Sequence, residues 1–388
     1  MSNRFAGRLA LQQRVLPSYR VPFFDMLAQA CDSGMSLFAG LPRADEGITN
    51  GKLQIAKYVP AKNIHILNGS FYLCYQRGLI RLLENWNPDA LIVEANSRYL
   101  ATSSAINWMH SRGRKVIGWG LGAPPPPLNP PHFPRSIPER SGKWGGSEGG
   151  VLSGLRQTMR IRFLNQFDAL ISYSQRGADE YAALGFPREK IFVAPNAVSS
   201  KPSSLIPARP LAFKDKPVIL FVGRLQRRKR VDDLLRACSE MKSKPRLIIV
   251  GDGPEREHLE SLAKQVYPSA EFIGAKHGAE LKPYSTEADL FVLPGTGGLA
   301  VQEAMSYGLP IIVAKGDGTQ DDLVRESNGW QIAPDDYAAL VHTMRLALSD
   351  VGRLRTMGAE SHRIVSEEIN LEKMVAVFVQ ALNVLAND

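Results

Sequence analysis

The chain has 388 residues, 44% of them hydrophobic and 22% charged. That length suggests two globular domains with a core each, and the composition argues against wholesale disorder. Its three cysteines, Cys31, Cys74 and Cys238, are too scattered for a disulfide framework or a zinc site and fit a reducing compartment.

The net charge of +9 sits in the first half. Residues 1–200 hold 23 Lys and Arg against 13 Asp and Glu, whereas residues 201–388 hold 24 against 25. A basic surplus of this size could hold a domain at an anionic leaflet, at about 1 kcal/mol per basic side chain. Nucleic-acid binding would call for interleaved aromatics or a known motif, and neither is read here.

From the amino end, MSNRFAGRLALQQR contains no apolar run long enough for a signal h-region, so a soluble chain, or one lying against a membrane, is expected. Segments 8–15, 90–96, 115–120 and 169–174 read as strands, and 21–30 and 103–113 as helices. The uncharged stretch 116–134 holds seven prolines, which excludes a membrane-spanning helix, and 122–150 reads as an irregular loop. The helix predicted around 155–164 carries Arg156, Arg160 and Arg162 among apolar residues, as a packing helix or a membrane-surface one. Residues 199–210 read as a linker.

Beyond it the pattern is crisper. The apolar runs 218–223, 246–251, 290–295 and 310–314 predict strands buried on both faces, each followed by a helix-periodic segment. The reading is α/β, with two Rossmann-like domains over 1–200 and 201–388 and a terminal helix over 371–386.

Two segments carry chemistry. LPGTGGLAVQEAMSYGLP (293–310) puts Gly295, Gly297 and Gly298 between a buried strand and a helix. Such glycines either let the backbone grip a diphosphate or simply permit a tight turn. Glu303, about a turn into the helix, could accept hydrogen bonds from a ribose. FVGRLQRRKR (221–230) ends a strand at Gly223 and gathers five basic residues. Ligands of open α/β sheets bind beyond the carboxyl ends of strands, so Arg224 and Lys229 could stabilise a departing diphosphate. The bland alternative is a solvated or nucleic-acid-facing charge cluster. GDGP (251–254) lacks the third glycine of a dinucleotide fingerprint and reads as a structural turn.

GRLQRRK, VGDGPEREHLE, FIGAKHGAELKPYSTEADLFVLP (272–294) and the glycine loop with Glu303, in that order and spacing, resemble the family 4 retaining glycosyltransferases of the GT-B fold. The likeness is specific over about 215–330 and weaker over 13–28 and 167–198. It implies two Rossmann-like domains with parallel sheets facing a cleft, the last helix crossing back to the first domain. A nucleoside-diphosphate sugar, UDP favoured over GDP, would bind the second domain through Gly223, Arg224, Lys229, Gly274, Gly295, Thr296, Gly297, Gly298, Leu299 and Glu303. Arg224 and Lys229 would be catalytic, with no metal and no further cofactor.

The acceptor, a glycan or lipid-linked hydroxyl, would dock on the first domain, where Tyr19, Arg20, Asn96 and Arg98 are the candidates. Surface polysaccharide or lipopolysaccharide assembly, in the cytoplasm or at the inner face of the cell membrane, is the implied setting. Two positions depart from the family pattern. Gly295 stands where the first of two glutamates is usual, and Leu121 where a histidine near the reaction centre is usual. His132, in the proline-rich loop, is a candidate substitute for that histidine. An epimerase of the same fold and a non-catalytic nucleotide-sugar binder are the alternatives. Donor hydrolysis appearing only in a Gly295→Glu variant would favour the binder.

Overall fold

The computed structural model describes residues 4–43, 46, 48–67, 72–122, 157–295, 297–316 and 318–386. Residues 123–150 of the expected loop, with His132, and Arg156 lie outside that set, as does Thr296. The chain forms two compact units: Met1–Val193 together with Val377–Asp388, and Ala194–Ala376.

In the first unit seven strands form one sheet in the order β3-β2-β1-β6-β7-β8-β9, every neighbouring pair parallel. These are β1 (Leu9–Val15), β2 (Met35–Gly40), β3 (Lys57–Pro60), β6 (Ala90–Glu94), β7 (Lys115–Gly120), β8 (Ala169–Ser172) and β9 (Ile191–Val193). The central strands are buried on both faces, which is why ALIV and VIGW read as continuous apolar runs. An antiparallel hairpin, β4 (Lys62–Ile66) with β5 (Leu73–Arg77), stands apart from that sheet. The terminal helix Leu371–Ala386 is apolar because it is a core element. Phe378 makes edge contacts with Phe23 and Trp119, and Leu382 and Leu385 are buried.

The second unit has six parallel strands in the order β12-β11-β10-β13-β14-β15. They are β10 (Val218–Val222), β11 (Arg246–Val250), β12 (Glu271–Gly274), β13 (Leu290–Leu293), β14 (Ile311–Ala314) and β15 (Gly329–Ile332). The order reverses at β10, whose neighbours are β11 and β13. The crevice above its carboxyl end is where such a sheet offers a ligand site.

The segment expected as a linker belongs to this unit and is pinned to it. The Arg209 guanidinium donates to the carbonyls of Ser285, Ala288, Tyr307 and Gly308 at 2.7–3.3 Å. Burial, with the neighbouring Arg355, pushes its pKa down to about 10. Asp289 answers this charge: it accepts from Arg355 at 2.7 Å and from the Val218 amide at 2.9 Å. Asp289→Ala removes the acceptor from a buried pair and leaves Arg355 uncompensated, so unfolding in urea should show a loss of roughly 3 kcal/mol. Asp289→Asn, which keeps a hydrogen-bonding oxygen, should lose less.

Candidate functional site

Three loops meet at the carboxyl edge of β10, β11 and β13. After β10 the chain runs through Gly223 and Leu225, whose amides donate to the carbonyls of Val250 and Asp252 at 3.0 and 2.9 Å. The Gly251 amide in turn donates to the carbonyl of Gly274, at the end of β12, at 2.9 Å. A Cβ on Gly251 would lie 1.9 Å from the Gly223 carbonyl oxygen, and one on Gly253 2.3 Å from that of Leu225. The GDGP turn therefore packs directly against the backbone of the 223–225 loop.

The basic cluster sorts into distinct jobs. Arg230 adopts a left-handed conformation (φ +54°) and pairs with Asp233 at 2.6 Å and Asp335 at 2.7 Å. It fixes the turn Arg227–Lys229 against the start of the helix Val231–Glu240. Arg224 and Arg227 are exposed at the strand end. Lys229 is the buried member, 6% exposed, and its ammonium donates to the Gly297 carbonyl. Burial, reinforced by the positive charge of Arg228, lowers its pKa to about 8. Arg228 is the residue that the spacing does not single out. Its Nη1 lies 3.2 Å from where a Cβ on Gly297 would be, and Lys229 Nζ lies 3.8 Å from the same point. Both cations therefore converge on the glycine loop.

That loop is shaped by backbone contact. Gly297 has φ +70°, a conformation natural to glycine. A Cβ on Gly295 would fall 2.1 Å from the Arg228 carbonyl oxygen and 2.5 Å from Lys229 Cα. A glutamate at 295, the substitution raised above as a test for a binder, would meet the 228–229 backbone at the point where its side chain begins. The helix that follows Leu299 runs only from Ala300 to Ser306, so anchoring charge comes chiefly from Arg228 and Lys229. Glu303, in its first turn, is half-buried. Burial raises its pKa, against a smaller downward pull from His277. A cavity of about 400 Å³ opens beside the loop, between Arg227, Arg228, Gly295 and Asp335. The arrangement offers two converging cations and glycine amides to a polyanion, and a carboxylate to hydroxyls.

In the first unit, Tyr19, Arg20, Asn96 and Arg98 line one cavity of about 650 Å³ at the carboxyl edge of β1, β6 and β7. Arg20 is 7% exposed, its guanidinium over the rings of Tyr19, Trp119 and Tyr173 at 5.7, 5.5 and 5.3 Å. Arg160, on the helix over 157–164, faces the same cavity, a placement that the sequence reading of that helix misses. Leu121, at the position examined for a histidine, also lines it and is exposed. Among the described residues no group of three or more His, Cys, Asp or Glu gathers as metal ligands do.

Residues 204–363 match the family model described as Glycosyl transferases group 1. The sulfoquinovosyl transferase SQD2 of Arabidopsis thaliana is 34% identical over 142 residues, covering 35% of this chain and 27% of that protein. A GDP-mannose-dependent alpha-mannosyltransferase of Mycobacterium tuberculosis is 35% identical over 166 residues, covering 40% and 42%. The putative colanic acid biosynthesis glycosyltransferase WcaL of Escherichia coli is 26% identical over 234 residues, covering 55% and 57%. The chain thus matches between about a quarter and three-fifths of the length of these curated relatives. Solved structures align over nearly its whole length. Anabaena Alr3699/HepE in complex with UDP has a TM-score of 0.66 at 16% identity, covering 98% of this chain and 100% of that one. The lipopolysaccharide outer core galactosyltransferase WaaB has 0.64 at 16%, covering 97% and 99%. These likenesses give the fold, which is that of the GT-B glycosyltransferase structures.

Proposed function

We propose that the protein is a glycosyltransferase that holds a nucleoside-diphosphate sugar in its second unit and moves the sugar to a hydroxyl of an acceptor on its first. The observation that carries this reading is the convergence of Lys229 and Arg228 on the Gly295–Leu299 loop, inside the segment that matches the glycosyltransferase model. Cations fixed around a diphosphate stabilise the charge that grows on it as the glycosidic bond breaks, and they do so without reorganising. Arg224 is assigned to the leaving group with Lys229, and Glu303 to the ribose hydroxyls. One relative is named as GDP-mannose-dependent and one solved structure is a complex with UDP-glucose, which favours UDP- and GDP-sugars as donor classes. Retention of configuration follows from the family resemblance. The names of WcaL and WaaB support a polysaccharide or lipopolysaccharide acceptor; action in the cytoplasm or at the inner face of the cell membrane is part of the proposal.

A thermal-shift panel of UDP-, GDP- and ADP-sugars tests the reading. A donor at about a hundred times its Kd adds about 2.7 kcal/mol of stability and a clear rise in Tm. The matching donor should produce that rise, and the rise should shrink in Glu303→Gln. In turnover assays Glu303→Gln should raise KM more than it lowers kcat, because the carboxylate grips the nucleoside in ground and transition states alike. A panel with no shift from any nucleotide sugar would overturn the proposal.

A further inference from the structure

The β4–β5 hairpin of the first unit is built with its polar side inward and its apolar side towards solvent. Inside, Gln76 donates to the Gln13 carbonyl at 3.1 Å and to Asn63 Oδ1 at 2.8 Å, and Asn63 donates to the Arg14 carbonyl at 2.8 Å. Those bonds tie the hairpin to β1 and fix which face is left outside. The outward positions are the cross-strand pairs Lys62–Arg77, Ile64–Tyr75 and Ile66–Leu73. A third segment widens this face. The Cys74 amide donates to the Arg98 carbonyl at 2.9 Å and the Leu100 amide to the Cys74 carbonyl at 3.0 Å. Tyr99 is buried between Arg98 and Leu100, which are exposed. Ile64, Ile66, Tyr75 and Leu100 are between 38% and 44% exposed, and Leu67 is 61% exposed. Single exposed apolar residues need no explanation, but a group of them on one face marks an interaction surface.

The order of side chains along the hairpin points to the partner. Lys62 and Arg77 stand at one end, Ile64 and Tyr75 in the middle, and Ile66 and Leu73 at the other. Segments 62–67, 72–77 and 98–100 contain three Lys or Arg and no Asp or Glu, within a half-chain that carries the whole basic surplus. An anionic leaflet has the matching layers: charged headgroups, a belt where aromatic rings settle, then acyl chains. From Lys62 to Ile66 a strand runs about 13 Å, enough to keep the cations at the headgroups with the apolar end about 5–10 Å deep. A partner protein or a second copy calls for no such gradient.

We propose that this hairpin face docks the protein on an anionic membrane surface, with Ile64, Ile66 and Tyr75 in the interface and Lys62 and Arg77 at the headgroups. Arg98 both borders the face and lines the cavity assigned to the acceptor, so an acceptor carried on a lipid arrives at the edge of that cavity. That last step rests on the transferase reading above; the docking stands on the hairpin and is tested without any transfer.

The test is flotation of the full chain with vesicles of phosphatidylcholine alone and of phosphatidylcholine mixed equally with phosphatidylglycerol. The protein should float with the mixed vesicles, far less with the neutral ones, and be released by salt. Lys62→Gln combined with Arg77→Gln should raise the lipid concentration for half-binding about 25-fold, because about 1 kcal/mol per basic side chain is about fivefold each. Ile64→Ser combined with Ile66→Ser should raise it at least about tenfold, and Ile66→Trp should lower it. The native cysteines are buried, so an introduced one takes an environment-sensitive dye selectively. The dye should shift to the blue on mixed vesicles at Tyr75→Cys and stay unchanged at Ser349→Cys in the second unit. All the hairpin variants should keep the thermal shift given by the nucleotide sugar, which separates failure here from failure of the transferase reading. Equal flotation with both vesicles, flotation with neither, or undiminished binding in both double variants would overturn the proposal. So would a dye shift that grows with protein concentration in the absence of lipid, the mark of a second copy on this face.

Discussion

Lys229→Met should lower sugar transfer by ~10²–10³-fold, the usual loss on removing one preorganised donor from developing charge, yet should leave the ligand-free protein more stable at pH 7. The two effects share one cause. An ammonium that is 6% exposed and next to Arg228 is held where it costs free energy until an anion arrives. Its folded-state pKa of about 8 lies below the ordinary lysine value of 10.5. The folded chain therefore binds fewer protons than the unfolded chain between those two values. The penalty is fully present below pH 8 and fades as pH rises through 8 towards 10.5, reaching at most about 3 kcal/mol at low pH. The bond to the Gly297 carbonyl, lost in the variant, offsets part of the gain. Thermal unfolding at pH 7 and pH 10 should show the advantage of the variant at the lower pH only. A nucleoside diphosphate should pull the pKa back up, so binding near pH 8 should take up a fraction of a proton. Calorimetry in buffers of different ionisation enthalpy reads that uptake, and its absence in Lys229→Met would assign it.

Gly295→Glu should abolish nucleotide binding and destabilise the second unit rather than awaken activity. The new Cβ meets backbone atoms, the Arg228 carbonyl oxygen at 2.1 Å and Lys229 Cα at 2.5 Å, which cannot swing aside as a side-chain tip can. Relief requires the Arg227–Lys229 turn to move, and Arg230 ties that turn to Asp233 and Asp335. Overpacking of this kind costs typically 1–3 kcal/mol, and the displacement carries off the two cations that face the loop. Gly295→Ala should act in the same direction, since the clash begins at Cβ. Wild-type nucleotide affinity in the alanine variant would mean that the turn yields freely and that this account of the loop is wrong.

In the second unit, sequence and structure agree closely where burial is two-sided. VILFV, RLIIV, LFVL and IIVA form β10, β11, β13 and β14 within two residues of the expected bounds. Of the strands the reading passes over, β2 is interior, six residues long and buried throughout, but Ser36, Ala39 and Gly40 break up its apolar run; the others have three to five residues. EFIG of β12 is half-exposed throughout, and IFV of β9 is too short to show a period. The β4–β5 hairpin escapes notice because its inward residues are polar. Gln76 is buried and bonds to Gln12 and Asn63, so the alternation that marks an amphipathic strand is inverted. At the site, Lys229 and the glycines stand out by type and spacing. Arg228 does not, because adjacent basic residues differ only in which way the turn points them. The reason for Gly295 is equally hidden, since its neighbour in space is the backbone 66 residues earlier.

The two units differ in how the polypeptide supplies them. Ala194–Ala376 is one uninterrupted stretch, whereas the first unit is completed only when the last dozen residues return to it. The second could therefore be excised and produced alone for nucleotide binding. The first could not be made by stopping translation at its boundary: a fragment ending at residue 193 would lack Phe378 against Phe23 and Trp119, and the indole that backs the arginine cavity would lose its support. Supplying Val377–Asp388 as a separate peptide should restore it, making the tail a removable key to the cavity that it never enters.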